Sequence, residues 1–209
     1  MKDIVIIGAG GFGKEVAWLI EQINKKTPTW NLVGFVDDYI EVGTMINGTK
    51  VLGPVEYLKN LSTYAVCSIS DPSTRQKVIE SINNTSVKYP TLVHPLVELS
   101  NSVEIGEGTI ICEGARFTVN IQVGKHVIIY HNDVICHDVN VSDYVSIMPS
   151  VNLSGNVKVG ERSFIGVGSK IIQNLKIGSS SIIGSGTVVI RDVPANKTVV
   201  GVPGKILNQ

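Results

Sequence analysis

From Val93 to Val189 every sixth residue is a large hydrophobe, seventeen times in succession and with no insertion. Sixteen are aliphatic and one, Phe117, is aromatic. A strand repeats every two residues and a helix near 3.6, so neither alone gives a strict six. A solenoid does: each hexad supplies one short straight face, and its first residue points inward. Three hexads make a triangular coil, and the run makes nearly six coils. At ~4.8 Å between stacked strands the prism is on the order of 25 Å long.

Within the hexad, the fifth position is mostly small or β-branched (Val97, Val103, Thr109, Ala115, Val151, Ser163, Ser169, Ser181, Thr187), which suits a second inward site near a corner. Glycine recurs at the second position (Gly106, Gly124, Gly160, Gly166, Gly178, Gly184), where a sharp bend is expected. Asp133 is the charged exception at position five. An inward carboxylate needs hydrogen-bond partners, so a local distortion is expected there.

The first part of the chain has other periods. Residues 4–8 and 32–36 read as buried parallel strands. Residues 13–26 have helical spacing, with Val16, Leu19, Ile20 and Ile23 on one face. Residues 45–53 read as a hairpin turning at Asn47-Gly48. Residues 54–61 form a short helix with proline at its start. A third strand over 64–69 precedes a helix that carries Arg75, Val78 and Ile82, with Asp71 and Ser73 as candidate caps. Alternating strands and helices make a mononucleotide-binding unit. The reading is therefore an α/β Rossmann-like domain over 1–92, followed by a parallel β-helix domain with a tail over 93–209.

Eighteen basic residues balance eighteen acidic ones, so no net field favours nucleic acid or an anionic membrane. No apolar run reaches the roughly 18 residues that span a bilayer. The three cysteines are odd in number and lack metal-ligand spacing, which suits a reducing, cytoplasmic setting and no metal site.

Several features together resemble a known group: the hexads, the strand–Gly-rich loop–helix in front, Asp37-Asp38, His137-Asp138 and the closing Gly201-Val202-Pro203-Gly204-Lys205. The chain resembles the hexapeptide-repeat sugar acetyltransferases related to the bacillosamine-pathway N-acetyltransferase and the sialic acid O-acetyltransferase. The resemblance implies a left-handed β-helix. It also implies a homotrimer with active sites between subunits, and acetyl-CoA as co-substrate. One flat prism offers no deep pocket, so a crevice between neighbours is the natural ligand site.

His137 stands at the third position of its hexad, which should point outward. Eighteen residues on, one coil along, is Gly155. An imidazole beside an uncovered backbone N–H suits acyl transfer: the ring takes a proton from the attacking group, and the N–H stabilises the oxyanion. The resemblance places the base on His137, the group that raises its basicity on Asp138, and an acetyl contact on Gly155. It places coenzyme A contacts at Val167 and Ser185, and at Ser146, where the family has histidine. His131 faces another side of the prism, and no chemistry is assigned to it, His94 or His126.

Gly8-Ala9-Gly10-Gly11-Phe12-Gly13 fits G-x-G-x-x-G between a strand and a helix, a setting for phosphate binding. Asp37 or Asp38, after the second strand, could hold a ribose. A dinucleotide usually needs a second mononucleotide half, so a single nucleotide is expected. The resemblance implies a UDP-linked 4-amino-4,6-dideoxy sugar, bound by Gly10, Gly11, Phe12, Asp37 and Asp38. Ser70 replaces the family's glycine in that pocket.

The expected reaction is acetyl transfer from acetyl-CoA to the sugar's amino group. A base at His137 serves a hydroxyl equally, so a sialic-type O-acetyltransferase is a second reading. The glycine-rich loop allows a third, an NAD(P)-binding nucleotide-sugar oxidoreductase. A non-enzymatic solenoid with a flat threonine ladder is disfavoured by the scatter of Thr109, Thr118 and Thr187.

Overall fold

β1 (Lys2–Ile7) is the centre of the first sheet, because its last four residues are buried on both faces. The computed structural model describes residues 1–84 and 86–207. The chain divides into two compact units, Met1–Pro95 and Leu96–Gln209.

In the first unit α1 (Gly11–Lys26) follows β1 and buries Val16, Ala17, Leu19 and Ile20. Ile23 is only half-buried. Lys25 and Lys26 in its last turn complement the helix dipole. β2 (Trp30–Val36) pairs parallel with β1. β3 (Met45–Ile46) and β4 (Thr49–Gly53) form the expected hairpin. Its turn residues Asn47 and Gly48 have φ of 48° and 81°, the paired left-handed geometry of a two-residue hairpin loop. The helix expected over 54–61 is a 3-10 turn over Val55–Asn60. β5 (Thr63–Cys67) pairs with β1 on the other side. α2 (Pro72–Ile82) is capped by Asp71, whose carboxylate accepts from Thr74 N at 2.8 Å. β6 (Val87–Lys88) completes the order β3-β4-β2-β1-β5-β6.

The second unit is a parallel β-helix. Val134–Ile135 pairs in parallel with Arg116–Phe117 on one side and Asn152–Leu153 on the other. Ile128–Ile129 stands likewise between Ile110–Ile111 and Ser146–Ile147. Asn140–Val141 stands between Gln122–Val123 and Lys158–Val159. First-position residues fill the interior: Ile129, Ile135, Ile147, Leu153, Ile165 and Ile183 are all 0% exposed. Burying each contributes on the order of 1.5–3 kcal/mol. Leu99 holds the register but is 38% exposed, in a segment that forms no strand. Residues 94–102 keep the period without forming a strand. The terminal glycines and proline turn a hairpin: Lys205–Ile206 folds back antiparallel on Thr198–Val200, which extends the sheet of Ile182–Ile183.

Two expectations change here. The bend lies at positions three and four, not two. Every fourth-position residue from Gly108 to Gly186 has φ between 52° and 77°, including Asn120, Asp138, Tyr144 and Arg162. Second-position glycines serve close stacking instead. A Cβ on Gly106, Gly124, Gly160 or Gly178 would lie under 3.0 Å from the backbone of the next coil. The second change concerns Asp133. It is fully buried, yet Val134–Ile135 keeps regular register on both sides. Its Oδ1 accepts from Val151 N at 2.8 Å, as Thr109 Oγ1 accepts from Val127 N at 3.1 Å. Burial pushes its carboxyl up to about 9, so the side chain is a neutral acid and no distortion is needed.

Candidate active site

The β-helix backbone determines which polar groups remain free at its edges. From His126 to Gly186 each fourth-position N–H donates to the third-position carbonyl one coil earlier: Asp138 N to Val119 O at 3.1 Å, Asn156 N to His137 O at 2.8 Å, Gly186 N to Val167 O at 2.7 Å. That consumes the third-position carbonyls. The third-position N–H groups of Gly155, Val167 and Ser185 make no hydrogen bond among the described residues. Val167 and Ser185 stand in one column, both exposed, with Pro149 before them. His137 and Gly155 stand in a different column.

His137 projects from its turn with its side chain 62% exposed, and Asp138 is 49% exposed. The left-handed conformation of Asp138, φ 61°, accompanies a carboxylate turned back on its neighbour: His137 Nδ1 to Asp138 Oδ2 is 2.8 Å. An ionised carboxylate only accepts, so Nδ1 carries the proton and Nε2 is left as the acceptor. Hydrogen bonds from His137 and from Asn120 hold the Asp138 carboxyl below the usual carboxylate range. The imidazole lies against Gly155, where an added Cβ would overlap the ring. Glycine at 155 is thus what lets the ring sit beside an amide one coil along. The pair can move a proton at Nε2 and offer a hydrogen-bond donor beside it.

Ser146 differs from the expectation of a reachable coenzyme contact. It is 0% exposed in Ser146–Ile147, and the protomer does not present its hydroxyl to solvent. A groove of about 770 Å³ runs along Glu104, Gln122, Asp143 and Glu161 and does not include His137. A smaller one of about 330 Å³ contains Asp138 together with Asn120, Gln122, Asn140, Glu104 and Lys158.

In the first unit the four glycines of the loop have separate causes. Gly8 has φ +94°, and a Cβ on Gly13 would overlap the Gly8 carbonyl. Backbone geometry requires both. Gly10 and Gly11 are exposed, with nothing within 4 Å of an added Cβ. The fold does not need them, and they leave open space at the first turn of α1, whose amides lack intrahelical partners. Phe12 is 8% exposed, so its ring belongs to the core and only its backbone can meet a ligand. Asp37 takes Ala9 N on Oδ2 at 2.8 Å and Tyr39 N on Oδ1 at 2.9 Å. It shapes the loop. Asp38 takes Val55 N on Oδ1 at 2.8 Å and is otherwise exposed, which leaves Oδ2 for a ligand.

Ser70 is half-buried at the loop after β5, and a residue not assigned from sequence holds that loop. Arg75 is 1% exposed and its Nη1 donates to Ile69 O at 2.6 Å and Ser70 O at 3.2 Å. Helical spacing puts Arg75 on the buried face, but nothing in the sequence says which carbonyls it meets. Arg75→Leu removes a charged donor from two carbonyls and is expected to cost about 2–4 kcal/mol. Urea denaturation checks this, and a loss below ~0.5 kcal/mol would show the guanidinium to be dispensable.

No group of three or more His, Cys, Asp or Glu that could hold a metal occurs among the described residues. No described helix is long and apolar enough to cross a membrane.

Residues 3–82 match the family described as PglD N-terminal domain. No match was found among curated proteins. Among solved structures the chain is similar to a variant of GDP-perosamine N-acetyltransferase from Caulobacter crescentus, in complex with CoA and GDP-perosamine. That match has 30% identity and a TM-score of 0.88, and covers 100% of this chain and 98% of that one. It is also similar to the acetyltransferase domain of PglB from Neisseria gonorrhoeae in complex with acetyl coenzyme A, at 31% identity, 99% coverage of both chains and TM-score 0.88. WeeI from Acinetobacter baumannii matches at 31% identity and TM-score 0.88, over 99% of this chain and 100% of that one.

Proposed function

We propose, for a chain that belongs to the hexapeptide-repeat sugar N-acetyltransferases, a direct transfer of acetyl from acetyl-CoA to a nucleotide-linked amino sugar with His137 as general base. The enzyme is an acetyl-CoA-dependent sugar N-acetyltransferase. The observation that carries the mechanism is the imidazole lying against Gly155 while its Nδ1 is held by Asp138.

The neutral amine attacks the thioester carbonyl and loses its proton to His137 Nε2. The carbonyl oxygen gains charge, and the free N–H of Gly155 stabilises it. Collapse of the tetrahedral adduct breaks the C–S bond, and the thiolate takes the proton back from the imidazolium. Asp138 fixes the ring's tautomer and balances its positive charge. Neither Cys112, which is buried, nor Cys136, the residue before His137, is needed as a nucleophile.

The coenzyme arm runs along the column of Val167 and Ser185, whose N–H groups are free. Because these residues and His137 occupy different edges of one prism, a site joining them draws on two prisms. A trimer with active sites between subunits supplies that arrangement. The nucleotide lies over Gly10, Gly11 and the amide of Phe12, with Asp38 on the ribose and Ser70 bordering the sugar. The chain works in the cytoplasm, where acetyl-CoA and reduced cysteines coexist.

UDP is the first reading for the nucleotide. GDP is the second, because the Caulobacter crescentus structures hold GDP-perosamine. Incubation with acetyl-CoA and either UDP- or GDP-linked amino sugars, followed by mass spectrometry, tests this. The expected product gains one acetyl group on nitrogen. Acetylation of sialic acid with none on either amino sugar would overturn it.

A further inference from the structure

The groups behind Asp138 extend one coil further than the His137–Asp138 pair. Asn120 occupies the same fourth position as Asp138, one coil earlier, with φ 57°. Its Nδ2 donates to Asp138 Oδ1 at 3.2 Å, while Oδ2 of that carboxylate faces His137 Nδ1 at 2.8 Å. The Asn120 backbone N–H donates in turn to Ser102 Oγ at 2.9 Å. The same ladder continues beyond the site, where Asn156 Nδ2 donates to Asn174 Oδ1 at 3.0 Å.

We infer that Asn120 is a positioning residue for the acetyl transfer: its amide fixes the rotation of the Asp138 carboxylate, and through it the plane and tautomer of His137. This rests on the assignment of His137 as the base. The physical case is that a carboxylate at an exposed turn is otherwise free to rotate about its last bond. A donor on Oδ1 leaves only Oδ2 for the imidazole and selects one orientation. It also disperses the carboxylate's charge, so Asp138 holds the proton on His137 less tightly. Besides His137, the charged groups facing Asp138 are Glu104 and Lys158, which line the same groove with opposite signs.

The left-handed backbone determines the choice of variant. Asn120→Gly deletes the amide at a position where glycine is unstrained. It is expected to lower kcat on the order of 10-fold, short of the 10²-fold that a 1 Å misplacement can cost. KM for acetyl-CoA should stay unchanged. The acid limb of kcat/KM should move to higher pH, because the undispersed carboxylate retains the imidazole proton longer. Asn120→Asp, which adds a charge in place of the donor, should move that limb further. Asn174→Gly makes the same backbone change two coils beyond Asp138 and should leave kcat and the pH profile as in wild type.

An unchanged kcat and pH profile in Asn120→Gly, with His137→Ala inactive, overturns the positioning role alone. An equal loss in Asn174→Gly overturns it too, because ladder stability would then be the cause. Full turnover by His137→Ala overturns the base assignment instead.

Discussion

His137→Ala should lower kcat roughly 10²- to 10⁴-fold, the range a positioned general base supplies. KM for acetyl-CoA should change little, because the free amides at Val167 and Ser185 stand in another column of the β-helix. Two of the Caulobacter crescentus structures carry a histidine replaced by alanine or asparagine and still hold CoA and GDP-perosamine. His137→Asn, which keeps some bulk beside Gly155, should be as impaired as His137→Ala, since neither offers a proton acceptor of the right basicity. Asp138→Asn should lie between these and wild type. It replaces a charge-assisted partner of Nδ1–H by a neutral one and no longer balances the imidazolium. Steady-state kinetics as a function of pH reads all three. Wild-type turnover by His137→Ala at saturating acetyl-CoA would rule the mechanism out.

How much of this was legible in the sequence depends on what each residue needed from its neighbours. The first-position hydrophobes gave the coils because one period fixes both strand and corner, and Ile129, Ile135 and Ile147 are fully buried as that period requires. The register also brought His137 and Gly155 together, since a spacing of eighteen residues is one coil. Leu99 misled, because a hydrophobe in register does not guarantee a rung beneath it. The second-position glycines suggest bends, because glycine usually marks a positive φ. Here the bend falls on Asn, Asp, Ser and even Tyr144 and Arg162, and the glycines answer to close backbone stacking. A count of Asn and Gly at the fourth position would have located the turn. Asp37 and Asp38 looked equivalent in sequence. Only the loop geometry shows that both oxygens of Asp37 already accept backbone N–H groups, from Ala9 and Tyr39, while Asp38 engages one oxygen with Val55. Asn120 and Arg75 act through side-chain directions that no period encodes.

Asp133→Asn should make the protein more stable at neutral pH, and the gain should grow with pH. In the folded chain the carboxyl is raised to about 9 by burial, with the backbone amides of Val151 and Tyr130 pulling weakly the other way. In the unfolded chain it titrates near 3.8. Between these values the unfolded state binds fewer protons than the folded one, so stability falls as pH rises through the window. Whatever this group contributes is fully present below about 3.8 and gone above about 9. The slope is at most about 1.4 kcal/mol per pH unit, so the penalty at pH 7 has an upper bound of roughly 4 kcal/mol. Water entry or a shift of the backbone would shorten it. Asparagine has the shape of the neutral acid and keeps an oxygen for Val151 N–H. Its Nδ2 would take the place of Oδ2, which is buried without a hydrogen-bond partner among the described residues. That leaves a cost of about 1–3 kcal/mol at every pH. The two effects separate by their pH dependence. Urea denaturation near pH 5, 7 and 8.5 should show the difference between variant and wild type moving in favour of asparagine with each step. A difference constant across that range would mean that Asp133 is ionised in the fold, its charge met by groups other than Val151.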